Sequence, residues 1–350
     1  MSALPPARVT QKDVAREACV SHATVSLALR GHHKIPLVTR NKILAIAKRL
    51  GYSPDPMLGA LSAYRCRRRP AAFHCNLAWV DDGLKPADFY STGEFCPYLE
   101  GARERAGELG FGLEMVNLAD YHNDRRAVQR VLFARGITGL LIAPAISQPR
   151  NRIDLEWARF SAVRFGYCML NSLLHTVTNA QFNSAFLGME NLVRLGYRRI
   201  GYMREFDAHS RTGGHFLGGF IAAQEHFAVE DVPVLRVDVK SEIYLSAARS
   251  WINQVKPEVI LAPSDFIFPY LKRWGFRVPE DIGFASLAVE ENDGFFSGIH
   301  QNGRNIGRAA VNLLVSLLER QEKGIPETPT HVLIDGVWKP GQTVVPKKNV

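Results

Sequence analysis

The sequence predicts an all-α head followed by an α/β body of two doubly wound parallel sheets. Three observations predict it. Positive charge is confined to one end: residues 1–70 carry 13 Lys and Arg against 3 Asp and Glu, whereas residues 71–350 carry 30 against 31. The first fifty residues hold three short stretches of helical period and no strand-like run. From about Phe73 onward, short apolar runs alternate with helix-period segments, the signature of parallel sheets covered on both faces. The chain is 46% hydrophobic and 22% charged, enough for a core of its own. No apolar run reaches the length of a bilayer span, and the first residues lack a signal-peptide pattern, so a cytoplasmic protein with no membrane partner is expected. Five scattered cysteines (Cys19, Cys66, Cys75, Cys96 and Cys168) contain no C-x-x-C pair, against both a disulfide scaffold and a zinc ribbon.

The first helix spans Arg8–Ala18, with Thr10 as its cap and Asp13 completing a weak capping box. Val14, Ala15 and Ala18 share one face. A tight turn at Cys19-Val20 leads to Ser21, which caps a second helix, His22–Arg30, that stops at Gly31. Val25, Ala28 and Leu29 point inward, leaving His22, Ala23, Ser26, Leu27 and Arg30 outward. A third helix runs from about Thr39 to Leu50. Two short helices around a four-residue turn, braced by a third, make a helix-turn-helix. A helix of this size fits the major groove with its N-terminal residues at base edges. A three-helix bundle without a partner is the alternative, but the outward face of the second helix is poor in carboxylates and its surround is basic. Double-stranded DNA is the expected partner.

The pattern Val9-Thr-x-x-Asp-Val-Ala-x-x-Ala-Cys-Val-Ser-x-x-Thr-Val-Ser-x-x-Leu-x-Gly31, followed by Leu50-Gly-Tyr-x-Pro54, resembles the head of the LacI/GalR family of bacterial transcription regulators. The resemblance implies DNA contacts from Thr10, Ser21, His22, Ala23, Thr24, Ser26, Leu27, Arg30 and Lys34. Cys19 stands where the family usually has Gly, so a left-handed turn there should cost about 1 kcal/mol. Pro36 replaces the usual Ser cap before the third helix. Leu27 replaces a frequent Arg, shifting readout toward apolar contact such as a thymine methyl.

Residues 54–72 read as a hinge helix and basic linker between a head at 8–53 and a body at 73–345. Met57, Leu58 and Leu61 share one face. They either pack on the body or, as the resemblance implies, order on DNA beside a dimer mate, with Leu61 wedged into a minor-groove step. Arg65, Arg67, Arg68 and Arg69 then fall on phosphates.

In the body, strand-like runs are His74–Val80, Gly112–Asn117, Gly139–Ala143, Arg164–Cys168, Arg198–Met203, Val234–Val237, Val259–Ala262 and Ile282–Leu287. Helical segments between them are Pro97–Leu109, Ala127–Arg135, Ser184–Leu195, Gly214–Phe227, Leu245–Val255, Asp265–Trp274 and Asn305–Arg320. So many units call for two sheets, with a cleft at the carboxyl ends of their strands. Leu192-Val-x-Leu-Gly-Tyr-Arg-Arg-Ile200, Gly275-x-x-Val-Pro-Glu-Asp-Ile282 and Gly307-Arg-Ala-Ala-Val-x-Leu-Leu314 are similar to the family's periplasmic-binding-protein-like effector domain. The resemblance implies two lobes joined by crossings near 171–178, 299–302 and 328–334. It also implies a small-molecule effector, carbohydrate-like where the family binds sugars.

Effector contacts are expected from Tyr90, Phe206, Phe216, Asp265 and Val289. Phe216 stands where sugar-binding members often have Arg, and Ala288-Val289 where many have an acidic pair. Ala180 replaces a common aspartate. Such losses remove strong polyol anchors. Asp265 either accepts ligand hydroxyls or caps its helix. No catalytic, phosphate-loop or metal-binding motif stands out, and no cofactor is expected. A regulator, homodimeric on a near-palindromic operator, is therefore the reading, a repressor by its family. An enzyme fused to a DNA-binding head and a ligand-independent architectural binder remain as alternatives.

Overall fold

The computed structural model describes residues 9–29, 35–52, 75–81, 96–121, 124–144, 155–167, 173–205 and 212–347. The chain divides into two compact units, the second beginning at Cys75.

The head holds α1 (Gln11–Ala18), α2 (His22–Leu29) and α3 (Leu37–Arg49). Their small inner residues, Val14, Ala15, Ala18, Val25, Ala28, Ile43 and Ala47, form one buried cluster, as helical spacing requires. The first helix starts later than Arg8. Thr10 is extended (φ −108°, ψ 165°), and its amide and hydroxyl donate to the Asp13 carboxylate at 2.9 and 2.7 Å. The third helix starts earlier than Thr39, because Pro36 (φ −57°, ψ 142°) takes the N-cap position and Leu37 can follow at once.

The body builds two six-stranded sheets. The first contains β1 (Cys75–Asp81), β2 (Phe111–Asn117), β3 (Gly139–Ile142), β4 (Ser161–Phe165), β5 (His175–Asn179) and β11 (His331–Ile334), in the order β11-β5-β4-β3-β1-β2, all parallel. The second contains β6 (Ile200–Glu205), β7 (Leu235–Val237), β8 (Val259–Ala262), β9 (Gly283–Ser286), β10 (Ser297–His300) and β12 (Val337–Lys339), in the order β12-β10-β9-β8-β6-β7. Only its edge strand β12 runs antiparallel.

Helices flank both sheets. They are α4 (Cys96–Glu108), α5 (Arg125–Ala134), α6 (Gln181–Arg194), α7 (His215–Phe227), α8 (Glu242–Val255), α9 (Phe268–Arg273) and α10 (Gly303–Arg320). The period-2 geometry of a strand explains the layering. In β8, Val259 and Leu261 enter the core shared with α6 and α7, whereas Ile260 and Ala262 enter the core shared with α8 and α9. In the first sheet, Ala78, Val80, Leu140 and Ile142 pack with Val128 and Leu132 of α5.

The chain crosses between lobes three times, each time leaving a strand's carboxyl end: between β5 and α6, between β10 and α10, and between β11 and β12. The first crossing falls at Ala180, beyond the expected 171–178, because the second half of that stretch belongs to strand β5. The third, at Asp335-Gly336, lies just beyond 328–334, which β11 likewise occupies.

Candidate functional site

In the head, the turn between α1 and α2 is set by Cys19, which is left-handed at φ 55°, ψ 43°. The Val20 amide donates to Ala15 O at 3.1 Å and closes the turn. Ser21 then caps α2: the Thr24 amide donates to Ser21 Oγ at 3.1 Å, and the two hydroxyls share a 2.8 Å hydrogen bond. Thr10 and Ser21 thus hold helix ends as well as standing on the surface. His22 and Ala23, in the first turn of α2, are exposed, and Ser26 and Leu27 are half-buried. No carboxylate lies on α2. The two acidic residues described in the head are both engaged by arginines, Asp13 with Arg16 at 3.6 Å and Glu17 with Arg49 at 2.5 Å. The amino end of α2, with its own partial positive charge, therefore presents a face suited to a polyanion. Arg30, Lys34, Leu58, Leu61, Arg65, Arg67, Arg68 and Arg69 lie outside the described residues.

In the body, all three crossings leave carboxyl edges, so those edges of the two sheets border a common cleft. Side chains meet across it. Tyr167, just after β4 of the first lobe, lies 4.5 Å (ring centroids) from His215, which opens α7 of the second. His331 is 6.0 Å from the same tyrosine. Burial and then the neighbouring His331 push the His215 pKa below its ordinary value. Burial raises that of Tyr167.

At the first crossing, Asn179, Gln181 and Ser184 are almost wholly buried. Gln181 Nε2 donates to Asn179 Oδ1 at 3.3 Å, while Asn179 Nδ2, Gln181 Oε1 and Ser184 Oγ find no hydrogen-bond partner among the described residues. Gln301, after β10, is fixed by a 2.6 Å bond from Nε2 to Leu287 O.

The predicted effector residues fare unevenly. Phe216 is buried within the second lobe's core with Tyr202 and Phe220, so it is a packing residue and not an open wall of the cleft. Helical spacing explains this: positions 216, 220 and 223 share the inner face of α7. Val289 is also buried, with its amide bonded to Ile299 O and its carbonyl to His300 Nδ1. That leaves it no polar group to offer. Asp265 is exposed just after β8. It does not cap α9, whose N-cap is Ile267, so its carboxylate stays available. Tyr90 and Phe206 lie outside the described residues. The sequence reading missed Tyr167, His215 and Arg204. The last is the penultimate residue of β6, where a charged residue ending an apolar run gave a signal that went unused.

Known proteins resemble this chain along its length. A family model for bacterial regulatory proteins of the lacI family matches residues 10–55, and one for a periplasmic binding protein-like domain matches residues 189–344. The HTH-type transcriptional repressor PurR of Klebsiella pneumoniae is 23% identical over 337 residues, spanning 92% of this chain and 94% of that protein. PurR of Salmonella arizonae is likewise 23% identical, over 344 residues and the same shares. Among solved structures, a CelR–cellobiose complex superposes with a TM-score of 0.58 at 18% identity, covering 96% of this chain and all of that one. A lac repressor dimer bound to operator and the anti-inducer ONPF superposes with a TM-score of 0.55 at 19% identity, covering 97% and 100%.

Proposed function

Because the chain is a member of the lacI family of bacterial regulatory proteins, we propose that it is a cytoplasmic, effector-controlled transcription repressor rather than an enzyme. The observation that carries this reading is the first turn of α2. His22 and Ala23 stand exposed on a helix without carboxylates, in a head whose described acids are occupied by arginines. Such a turn enters the major groove and meets base edges. One head reads too few bases for useful selectivity, so two chains act together on a near-palindromic operator. The hinge at 54–72 orders on DNA, Leu61 opens a minor-groove step, and Arg65, Arg67, Arg68 and Arg69 hold phosphates.

Control follows from linkage. A small molecule in the cleft changes the angle between lobes, and the hinges of the two chains transmit that change to the heads. The named relatives support an effector: one was solved with cellobiose, and another with operator and an anti-inducer. The test is selection of bound sites from a randomised duplex. His22→Gln should change the preferred bases. Arg67→Gln with Arg68→Gln should weaken binding to every sequence and flatten its salt dependence by roughly one unit of slope for each phosphate no longer neutralised. A site profile unchanged by His22→Gln would overturn the assignment of α2. Absence of any selected duplex would overturn the function.

A further inference from the structure

Strand β6 alternates between two cores. Ile200 and Tyr202 face α6 and α7, and Met203 faces the opposite side. Arg204 therefore shares the face of Tyr202, while Glu205 turns away from it. Tyr202 stacks on Phe220 of α7 with centroids 4.8 Å apart. Two residues further along the strand is a rise of about 6.6 Å. Four residues back along α7, from Phe220 to Phe216, is about 6 Å. Since β6 and β7 are parallel neighbours joined through α7, the helix runs back against the strand. Arg204 thus lies level with the first turn of α7, at the carboxyl edge that borders the cleft.

The guanidinium there has no counterion among the described residues. Its Nε and Nη1 are buried and find no hydrogen-bond partner among them either. The strand neighbour in register is another cation, Arg236. The amino end of α7 adds a partial positive charge, and its N-cap, Gly214, supplies no side chain to offset it. Desolvation, followed by the field of Arg236, lowers the Arg204 pKa from its usual value. An arginine nevertheless stays protonated at physiological pH. A water molecule can fill its hydrogen bonds but cannot balance its charge, and Arg204 is half-buried, so a charge partly withdrawn from water without a partner is unfavourable.

We propose that Arg204 anchors an anion subsite in the cleft, and that the effector carries a carboxylate or phosphate group. The proposal rests on the effector-controlled reading above and specifies the chemistry of that effector. A carboxylate or phosphate beside the guanidinium takes charge-assisted N–H bonds from its vacant donors and balances its charge.

Thermal unfolding of the full-length protein tests it. The probes are inorganic phosphate, glucose 6-phosphate and gluconate, with glucose as the neutral control, at constant ionic strength. At least one anion should raise Tm saturably, since a ligand that binds only the folded state stabilises it. Arg204→Met should abolish that rise, and Arg204→Lys should keep a reduced one. Without ligand, Arg204→Met should itself raise Tm by roughly 2–4 °C, because it removes an uncompensated charge. An equal rise in Arg204→Met, or no rise with any anion, would overturn the subsite. So would a fall in the unliganded Tm of Arg204→Met, which would mean that the guanidinium is already satisfied. A rise with glucose alone that also changes DNA affinity would overturn the anion subsite and leave the effector reading standing. No response to any probe in Tm or DNA affinity would count against both.

Discussion

Asn183 and Asp335, 152 positions apart, join two of the segments that cross between the lobes: Asn183 Nδ2 donates to Asp335 Oδ1 at 3.0 Å. Asn302, within the crossing between β10 and α10, donates its Nδ2 to the Asp335 carbonyl at 2.7 Å. Three stretches of backbone, distant in sequence, are thus tied at one residue. A hinge of three separate segments turns as a unit when its segments are coupled in this way.

Asp335→Ala removes the acceptor for Asn183 and leaves the carbonyl for Asn302. A hydrogen bond of this kind contributes about 1 kcal/mol. Amide exchange at the start of α6 should therefore quicken by about fivefold, with a smaller effect at Asn302. Hydrogen-exchange mass spectrometry of the full chain reads both. Unchanged exchange in α6 would show that the side-chain bond does not restrain the hinge.

The contact between Tyr167 and His215 should make the lobes sensitive to acid. Burial, and then the proximity of His331, lowers the His215 pKa from 6.5. The unfolded or opened chain therefore binds a proton more readily than the folded one. Stability conferred by the neutral imidazole is complete above the ordinary histidine pKa and is lost as pH falls through the window below it. Tm should drop between pH 7.5 and pH 5.5, and His215→Phe, which keeps a ring against Tyr167, should reduce that drop. An equal drop in the variant would place the acid sensitivity elsewhere.

Close approach of α4 and α10 should tolerate no added carbon. A Cβ at Gly307 would lie 2.0 Å from Tyr98 O, and one at Gly101 would lie 2.0 Å from Arg304 O. The helices are also pinned by Arg308, which donates to both Glu108 carboxylate oxygens at 2.8 Å. Gly307→Ala must push the backbones apart, at a cost of about 1–3 kcal/mol, visible as a lower urea midpoint. The ion pair has its own pH signature. Arg308 first, and Arg105 next, hold the Glu108 pKa at about 2. Its contribution is present above the ordinary glutamate value and is lost as pH falls from there toward 2. An alanine variant as stable as the parent would mean that the two helices separate freely.

Most of the layering was legible because it rests on strong periodicity. The Val259–Ala262 strand has the expected ends, and the seven body helices lie within a few residues of expectation. Of the four strands that went unseen, β5, β10, β11 and β12, three have a physical reason. In β5, buried Thr176, Thr178 and Asn179 look polar in sequence, and Thr176 is satisfied by Arg164 Nε at 2.8 Å. In β11 and β12, exposed edges weaken the apolar signal. The cleft was less legible than the head. Helix caps and turns are local chemistry, readable from neighbours such as Ser21 and Thr24. The meeting of Tyr167 with His215 depends on two lobes coming together, which no local pattern encodes. Resemblance also misled at Phe216, where exchange of a polar residue for an aromatic one changes the position from a contact to core.

The head carries a strain that one substitution should relieve. Cys19 adopts φ 55°, ψ 43°, a region in which a Cβ crowds the following carbonyl at a cost of about 1 kcal/mol. Its thiol gains little in return, being exposed and only 3.8 Å from Arg16 O. Glycine adopts the same angles without the clash. Cys19→Gly should therefore stabilise the turn by up to about 1 kcal/mol, less the greater freedom glycine gives the unfolded chain. Cys19→Ala separates this effect from loss of the thiol, since alanine keeps the Cβ. In the full chain, exchange of the Val20 and Val25 amides should slow by up to about fivefold in the glycine variant and change little in the alanine variant. Because this turn sets the angle at which α2 leaves α1, the glycine variant should keep the same preferred DNA sequence and bind it slightly more tightly. Equal exchange rates in both variants would show that the left-handed turn carries no strain to relieve.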